Sequence, residues 1–262
     1  QEDVQLMKLA GLTHYRTSIN WSRFLTDYEN VTVDEEYAAY YDQLFDALLA
    51  NGITPMICLE HYELPGYLLE KYGGWGSKTV VELFVRYAEK VFARYHPKVT
   101  RWFTFNEPIV VQTRVYLDAL RWPYEQNTST WMQWNYHKVL ATACVVKRFR
   151  ELGYPGTVGC ILNPEVTYPR SRAPHDLRAA EIYDLFYNRK FLDPLVHGVW
   201  PPALLALLEQ HQVTWETSEE DLAVIREHTV DELGINLYYP HRVKAPSRAW
   251  HPHTPFHPAW YY

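Results

Sequence analysis

Short apolar runs alternate with longer amphipathic stretches along this chain, which predicts strands alternating with helices. The apolar runs lack helical spacing and read as buried strands. They are predicted at residues 15–20, 53–60, 99–105, 157–162 and 231–239. Apolar residues at three- and four-residue steps predict helices, the longest at 34–50, 77–95 and 131–152, and helical material over 175–209 that is interrupted at Pro194 and at Pro201-Pro202. We expect a long aromatic loop through Trp122 and Pro123, and an aperiodic surface loop after Ala245.

This order of elements predicts an α/β fold with a parallel sheet and helices outside it. The rival architecture is a doubly wound open sheet. Polar residues follow all five predicted strands, whereas an open sheet would concentrate them at one switch point. The pattern therefore favours a TIM (β/α)8 barrel, present here as an incomplete portion with about five strand–helix units.

The polar residues at the predicted strand ends are the candidates for a functional site. They are Arg16 and Asn20, His61, Asn106 and Glu107, Asn163, and Asn236 and Tyr238. Taken singly, each has an ordinary explanation, such as an ion-pair partner, a loop histidine or a turn former. As a set at parallel strand ends, they are expected to converge and to form a binding site for a polyhydroxylated ligand.

Composition narrows the function classes. A net charge of −6 provides no basic stripe for nucleic acid. No apolar run is long enough to cross a bilayer, and the first residues lack signal-peptide character, so we expect a cytoplasmic protein. Three scattered cysteines without ligand spacing predict no metal site, and the chain has no glycine-rich phosphate loop that would indicate a nucleotide cofactor. Aromatic residues make up 16%, which suits a cleft that stacks on sugars.

The segment 104–108, Thr-Phe-Asn-Glu-Pro, resembles the acid/base motif of glycoside hydrolase family 1. Four more segments in the same order resemble motifs of this family: 15–23, 61–65, 72–75 and 233–239. The resemblance covers nearly the whole chain. Segments 239–246 and 258–262 resemble the bacterial branch that cleaves 6-phospho-β-glucosides.

The resemblance implies a retaining β-glycosidase that acts on β-glucosides or 6-phospho-β-glucosides and needs no cofactor. Glu107 would be the general acid that protonates the leaving oxygen and then the base that activates water, which requires a raised pKa. Asn106 would hold the sugar 2-hydroxyl, and His61 would bind the neighbouring hydroxyls.

The remaining candidates receive supporting roles from the same resemblance. Arg16 and Tyr238 would orient and charge-stabilise a nucleophilic carboxylate, with Asn236 beside them. Asn163 would lie toward the leaving group. Homo-oligomerisation is left open.

The nucleophile itself has no counterpart in the sequence. The family supplies it in a Glu-Asn-Gly motif, which does not occur here, and Glu60, Glu63 and Glu165 do not match its position. Relative to the family, residues 1–262 would form a single barrel catalytic domain that lacks the first, seventh and eighth strands. We expect either a partial view of a longer enzyme or a truncated, non-catalytic carbohydrate-binding or scaffold homologue.

Overall fold

The structure, a computed structural model, describes residues 2–117, 120 and 124–245. The strands within these ranges are β1 (His14–Ser18), β2 (Leu25–Asp27), β3 (Thr32–Val33), β4 (Thr54–Glu60), β5 (Arg101–Asn106), β6 (Thr157–Leu162), β7 (Thr167–Pro169), β8 (Glu232–Ile235) and β9 (His241–Val243).

Helices fill most of the remaining described sequence. They are α1 (Glu2–Leu9), α2 (Trp21–Phe24), α3 (Glu35–Ala50), α4 (Gly66–Tyr72), α5 (Lys78–Tyr95), α6 (Pro108–Gln112), α7 (Thr128–Leu152), α8 (Pro174–Asp184), α9 (Lys190–His197), α10 (Pro202–Gln210) and α11 (Glu219–Glu227). A 3-10 turn at Gly74–Gly76 and π-helical turns at Thr113–Leu117 and Leu185–Arg189 complete them.

Five strands form one parallel sheet in the order β1-β4-β5-β6-β8. Each strand therefore pairs with the next long strand along the chain, as the strand–helix alternation predicts. The register runs from His14 opposite Thr54 at the start of β1, and from Met56 opposite Arg101 in β5. Because the strands are parallel, their carboxyl ends lie at one edge of the sheet.

A glycine permits one of these pairings. A Cβ atom added at Gly159 in β6 would lie 2.4 Å from the backbone oxygen of Glu232 in β8. Such a distance is far inside van der Waals contact, so any side chain at position 159 would push β8 away.

By its contacts, the chain divides into two compact units. The first comprises residues 2–106, 141–161 and 230–234, and it contains the sheet up to the last residues of β6 and β8. Aromatic rings of α2, α5 and the strands dominate its core. The largest fully buried ones are Trp21, Phe24, Phe45, Trp75, Phe84, Tyr87, Phe92, Tyr95, Trp102 and Phe105.

The second unit comprises the described residues of 107–140, 162–229 and 235–245. In this unit β7 and β9 form a small parallel sheet. An apolar cluster built on Ala179, Ala180, Tyr183 and Val243 packs α8 against β9. The single-domain prediction made from the sequence stays a prediction.

The second unit also buries a lysine. Lys190 at the start of α9 is 1% exposed, and its Nζ lies 4.1 Å from the ring centroid of Trp131 and 5.7 Å from that of Phe186. Burial lowers the pKa of Lys190 well below 10.5, an effect that the charge of Glu165 opposes. The desolvation of the ammonium group therefore outweighs its attraction to the Glu165 carboxylate.

Several predicted boundaries were wrong for local reasons. The first strand ends at Ser18 because the Asn20 side chain accepts a hydrogen bond from the backbone N–H of Arg23 and caps α2. The predicted strand 231–239 ends at Ile235. The predicted loop after the third strand begins as a helix, because Pro108 occupies the first helical position. Trp122, Pro123 and the predicted surface loop beyond Ala245 lie outside the described residues.

The helical region 175–209 is divided differently from the prediction. Pro194 lies inside α9, whereas Pro202 begins α10. The sequence patterns also missed α11 and the pairings β2–β3 and β7–β9. These strands have only two or three residues, too few to show a period.

We expect Lys190→Met to raise the midpoint of thermal unfolding at pH 7 by about 2–4 °C, because it removes a buried amine and keeps the volume. The native lysine has a lowered pKa, so between that pKa and pH 10.5 the unfolded chain binds a proton that the native chain does not. The stability of the wild type therefore rises toward pH 10.5, and the advantage of the variant should shrink over this interval.

Lys98→Met is the matched control. The pKa of Lys98 is raised, because hydrogen bonds to Asp46 and Asp42 outweigh the effect of burial. Its contribution to stability is present at pH 7 and is lost as pH rises, so Lys98→Met should lower the midpoint at pH 7. A lower midpoint for Lys190→Met than for wild type at pH 7 would contradict our interpretation of Lys190.

Candidate active site

A bulge at the end of β5 directs Asn106. The register between β5 and β6 slips just before this residue. Thr104 and Phe105, in the bulge, both contact helices: the Thr104 hydroxyl lies 3.0 Å from that of Thr142 in α7, and the Phe105 ring stacks on Phe84 of α5 at 4.9 Å. A bulge re-aims the side chain that follows it, and Asn106 therefore projects away from these helices.

Asn106 is the centre of a hydrogen-bond chain in the first unit. Arg16 Nη1 donates to Asn106 Oδ1 at 2.8 Å, and Asn106 Nδ2 lies 3.1 Å from His61 Nε2. Because arginine only donates, it fixes the amide so that Nδ2 faces the histidine. His61 Nε2 must then accept, which places the imidazole proton on Nδ1, 3.4 Å from the Ser18 hydroxyl.

Arg16, Ser18 and His61 border a pocket of about 390 Å³. It is lined by Arg16, Thr17, Ser18, Asn20, His61 and Glu63. Glu63 Oε2 accepts from the backbone N–H of His61 at 2.9 Å, and Tyr62 between them has a φ of 76°. A left-handed tyrosine next to polar pocket residues is a strained conformation of the kind that functional sites retain.

Glu107 follows Asn106 and belongs to the second unit. Its backbone is left-handed, with φ 48° and ψ 56°, and Pro108 follows it as the first residue of α6. A residue before proline is disfavoured in helical conformations, and a non-glycine residue at positive φ carries a further cost. The side chain is nevertheless 6% exposed. A strained backbone thus delivers a buried carboxylate directly after a central strand.

Two donors from the segment after β8 hold this carboxylate. Asn236 Nδ2 donates to Glu107 Oε1 at 2.8 Å, and the Tyr238 hydroxyl donates to the same oxygen. Asn236 is itself anchored, because its backbone N–H donates to the oxygen of Leu162 at 2.8 Å. Charge-assisted hydrogen bonds of this kind fix the orientation of the carboxylate group.

Asn163, at the end of β6, lies in the second unit with a different partner. Its Nδ2 donates to the Tyr187 hydroxyl at 3.2 Å. Its Oδ1 is buried and accepts no hydrogen bond from any residue in the described ranges. A buried amide oxygen without a donor is costly in a protein interior, and a ligand hydroxyl could satisfy it.

The structure thus groups the predicted site residues in two sets. Arg16, His61 and Asn106 contact one another in the first unit, and Glu107, Asn236 and Tyr238 do so in the second. The expectation that all of them converge stays a prediction. Arg16 and Tyr238, predicted to orient a nucleophile, bind Asn106 and Glu107 respectively in this structure.

One further polar cluster was missed by the sequence analysis. Glu165, Tyr183 and His241 meet in the second unit, with the Tyr183 hydroxyl donating to Glu165 Oε2 and His241 Nε2 3.0 Å from the same oxygen. Of these, the sequence singled out only Glu165, as a carboxylate at a strand end. The cluster depends on the β7–β9 pairing, which left no periodic signal.

Two searches of the described ranges bear on other functions. No group of three or more His, Cys, Asp and Glu side chains is arranged there to hold a metal ion. Among the helices of those ranges, none combines the length and the apolar character that a membrane span requires.

The sequence profile named glycosyl hydrolase family 1 matches residues 1–255. The chain belongs to this family. It is 38% identical over 262 residues to the 6-phospho-beta-glucosidase GmuD of Bacillus subtilis. The match covers 100% of this chain and 56% of GmuD. It is 33% identical to the aryl-phospho-beta-D-glucosidase BglH of the same organism, over 91% of this chain and 51% of BglH. The chain spans about half the length of these relatives.

Solved structures of this family have the same fold. The psychrophilic beta-glucosidase BglU from Micrococcus antarcticus superposes with a TM-score of 0.85 at 32% identity, over 98% of this chain and 57% of BglU. The family 1 β-glucosidase from Thermotoga maritima superposes with a TM-score of 0.86 at 28% identity, over 97% of this chain and 55% of that chain. These matches confirm the predicted fold class, a portion of a (β/α)8 barrel.

The strained turn predicts an unusual order of stabilities. Glu107→Gly and Glu107→Ala both delete the carboxylate, but only glycine adopts φ 48° without a penalty, which is about 1 kcal/mol for alanine. We therefore expect the glycine variant to unfold at the same or a higher temperature than the alanine variant.

Position 43, an exposed site within α3, provides the control. There Gln43→Gly should be less stable than Gln43→Ala by about 1 kcal/mol, as in ordinary helices. If glycine is the less stable residue at position 107 by a similar amount, the left-handed turn is absent in solution.

Proposed function

We propose that the complete protein carrying this chain is a retaining β-glycosidase that hydrolyses 6-phospho-β-glucosides. Family membership supports a glycosidase, and the names of the relatives GmuD and BglH support a phosphorylated substrate. A phosphorylated sugar does not cross membranes, so we place the reaction in the cytoplasm, where phosphorylating uptake would deliver the substrate.

The observation that carries this proposal is the placement of Glu107. The side chain is buried at the end of a central strand, follows directly after Asn106 and receives hydrogen bonds from Asn236 and Tyr238. A carboxyl group held in this way is suited to pass one proton to a glycosidic oxygen and to recover it from water. A solvated loop glutamate would have neither the burial nor the two donors.

We assign the chemical steps as follows. Glu107 protonates the leaving oxygen while the bond to the anomeric carbon breaks, and its carboxylate then takes a proton from the water that attacks in the second step. Asn106 would bind the 2-hydroxyl of the sugar, and His61 would bind a neighbouring hydroxyl. Asn163 Oδ1, which has no donor among the described residues, would accept a hydrogen bond from the leaving-group side.

A retaining mechanism also requires a second carboxylate about 5 Å from the first, to form the glycosyl-enzyme. We place it outside these 262 residues, because the relatives are about twice as long as the segment they share with this chain. Arg16 would help to orient that carboxylate in the complete protein.

The second candidate function is sugar binding without hydrolysis. It is supported by the polar contacts that form around Asn106 and, separately, around Glu107 in a sequence that lacks Glu-Asn-Gly. It predicts thermal stabilisation by a 6-phosphoglucoside, no turnover, and unchanged stabilisation in Glu107→Gln.

A substrate pair tests the proposed class. We expect the complete, folded protein to hydrolyse 4-nitrophenyl 6-phospho-β-glucoside with a higher kcat/KM than 4-nitrophenyl β-glucoside, measured as nitrophenolate release. If the protein hydrolyses neither substrate, the glycosidase proposal is contradicted. A preference for the unphosphorylated substrate would remove the phosphate specificity alone.

The leaving group tests the role of Glu107. A general acid contributes about 10²–10⁴-fold, and the contribution is smaller when the leaving group is already a stable anion. We therefore expect Glu107→Gln to reduce kcat by about this factor for a methyl 6-phospho-β-glucoside, and far less for glycosylation by the 2,4-dinitrophenyl analogue measured as the burst of dinitrophenolate.

Glu232→Gln is the control for this comparison. Glu232 is half-buried at the start of β8 and pairs with Arg101 at 2.5 Å. Its variant should lose stability and leave both rates unchanged. An equal loss for both leaving groups in Glu107→Gln would show that Glu107 has a structural role only.

A further inference from the structure

The segment from Asn236 to His241 carries both donors to Glu107, and it is anchored at its two ends. The backbone N–H of Asn236 donates to Leu162 and that of His241 to Val166, each at 2.8 Å. Both acceptors lie in the stretch that leaves β6. Both ends of the segment are therefore hydrogen-bonded to residues 162–166, and Tyr238 lies between these two anchors.

Apolar packing does little to hold the middle of this segment. Leu237, Tyr238 and Tyr239 are 63%, 67% and 60% exposed. Burial of apolar surface is what normally fixes a large side chain, and within the described residues these three side chains bury little of theirs. Among these residues, polar contacts and backbone restraint are therefore what position the Tyr238 hydroxyl.

Glu165 provides the polar contact at the far end. Its Oε2 accepts from the Tyr183 hydroxyl and lies 3.0 Å from His241 Nε2. The His241 ring also stacks on Tyr183, with a centroid distance of 5.6 Å, and contacts Tyr239 at 5.2 Å. The imidazole thus contacts one carboxylate and two rings.

The backbone of Glu165 is fixed by a separate pair of hydrogen bonds. Its N–H donates to Asn188 Oδ1 at 2.9 Å, and its carbonyl oxygen accepts from Asn188 Nδ2 at 2.9 Å. Asn188 lies in the π-helical turn that follows α8. Glu165 therefore has a rigid base from which to hold His241.

Little backbone freedom separates His241 from Tyr238. Pro240 has a fixed φ, and it restricts the conformation of Tyr239 before it. A displacement of His241 is therefore transmitted to Tyr238 through few soft torsions. A shift of about 1 Å at a catalytic contact costs up to about 10²-fold in rate.

We propose that Glu165 is a positioning residue of the proposed glycosidase: it fixes His241 and thereby the segment that presents the Tyr238 hydroxyl to Glu107. The role that we assign to Glu165 is exerted through its contact with His241. The kinetic part of this inference rests on the proposed function, whereas the positional part does not.

The positional part is tested by 19F NMR of the complete protein labelled with 3-fluorotyrosine. The Tyr238 resonance is the one that disappears in Tyr238→Phe. We expect it to move in Glu165→Ala and to move similarly in His241→Phe, which keeps a ring but loses Nε2. Glu165→Gln keeps one acceptor oxygen and should give a smaller displacement. An unmoved resonance in Glu165→Ala would overturn the proposal.

Asp176→Asn is the matched control. Asp176 is a buried carboxylate of the same unit, and its Oδ1 accepts from the backbone N–H of Ala245 at 2.9 Å. It thus holds the chain just beyond β9, on the other side of this strand from the segment that carries Tyr238. The Tyr238 resonance should stay in place in this variant. A displacement equal to that of Glu165→Ala would show that any loosening of this stretch moves Tyr238, which also overturns the specific role of Glu165.

Kinetics give the second readout. We expect Glu165→Ala to lower kcat about tenfold with KM within about twofold, because substrate-binding groups such as Asn106 remain in place. In the His241→Phe background, Glu165→Ala should cause no further loss, and Asp176→Asn should retain wild-type kcat. Additive losses in the double variant would overturn the inference. A wild-type protein without turnover would defeat the proposed function, and the 19F result would still decide the position of Tyr238.

Discussion

The hydrogen bonds that Asn236 and Tyr238 donate to Glu107 are the interaction on which the site depends. They join the end of the central strand β5 to the segment after β8, two stretches that are 129 and 131 residues apart for these pairs. They offset part of the backbone cost of a left-handed glutamate before proline. With them, the strain at Glu107 becomes the means of presenting a buried carboxylate in one orientation.

At the end of β5, two consecutive residues contact different partners. The bulge turns Asn106 toward Arg16 and His61, and the positive φ of Glu107 directs the next side chain to Asn236 and Tyr238. In a regular strand, consecutive side chains point to opposite faces of the sheet. The bulge and the positive φ change the directions of these two side chains from that alternation. Two local departures from strand geometry thus give adjacent positions different hydrogen-bond partners.

The parallel sheet could be predicted from the sequence, because it rests on strong local signals, whereas the assignment of the site residues stays a prediction. Buried runs such as Trp102 to Phe105 have a clear pattern, and the Asn-Glu-Pro sequence marks where the strand must end. The contacts of Glu165 with Tyr183 and His241 could not be predicted. They arise from three-residue strands and from a π-helical turn, whose positions are set by tertiary packing and not by periodicity.

Boundaries failed where one side chain decides the local conformation. Asn20 ends a strand by capping a helix, and Pro108 begins a helix where the aromatic composition suggested a loop. The backbone strain at Glu107 could not be predicted either, because glutamate has no intrinsic preference for a positive φ. Such features require the partners from distant segments to be in place.

The most direct test of this account is a crystal structure of the complete protein, as the Glu107→Gln variant, with a 6-phospho-β-glucoside bound. We predict that the side chain at position 107 lies within hydrogen-bond distance of the glycosidic oxygen, keeps its left-handed backbone, and is accompanied by Asn106 on the 2-hydroxyl. A sugar bound elsewhere, or a residue 107 turned away from the glycosidic oxygen with an extended backbone, would contradict the account.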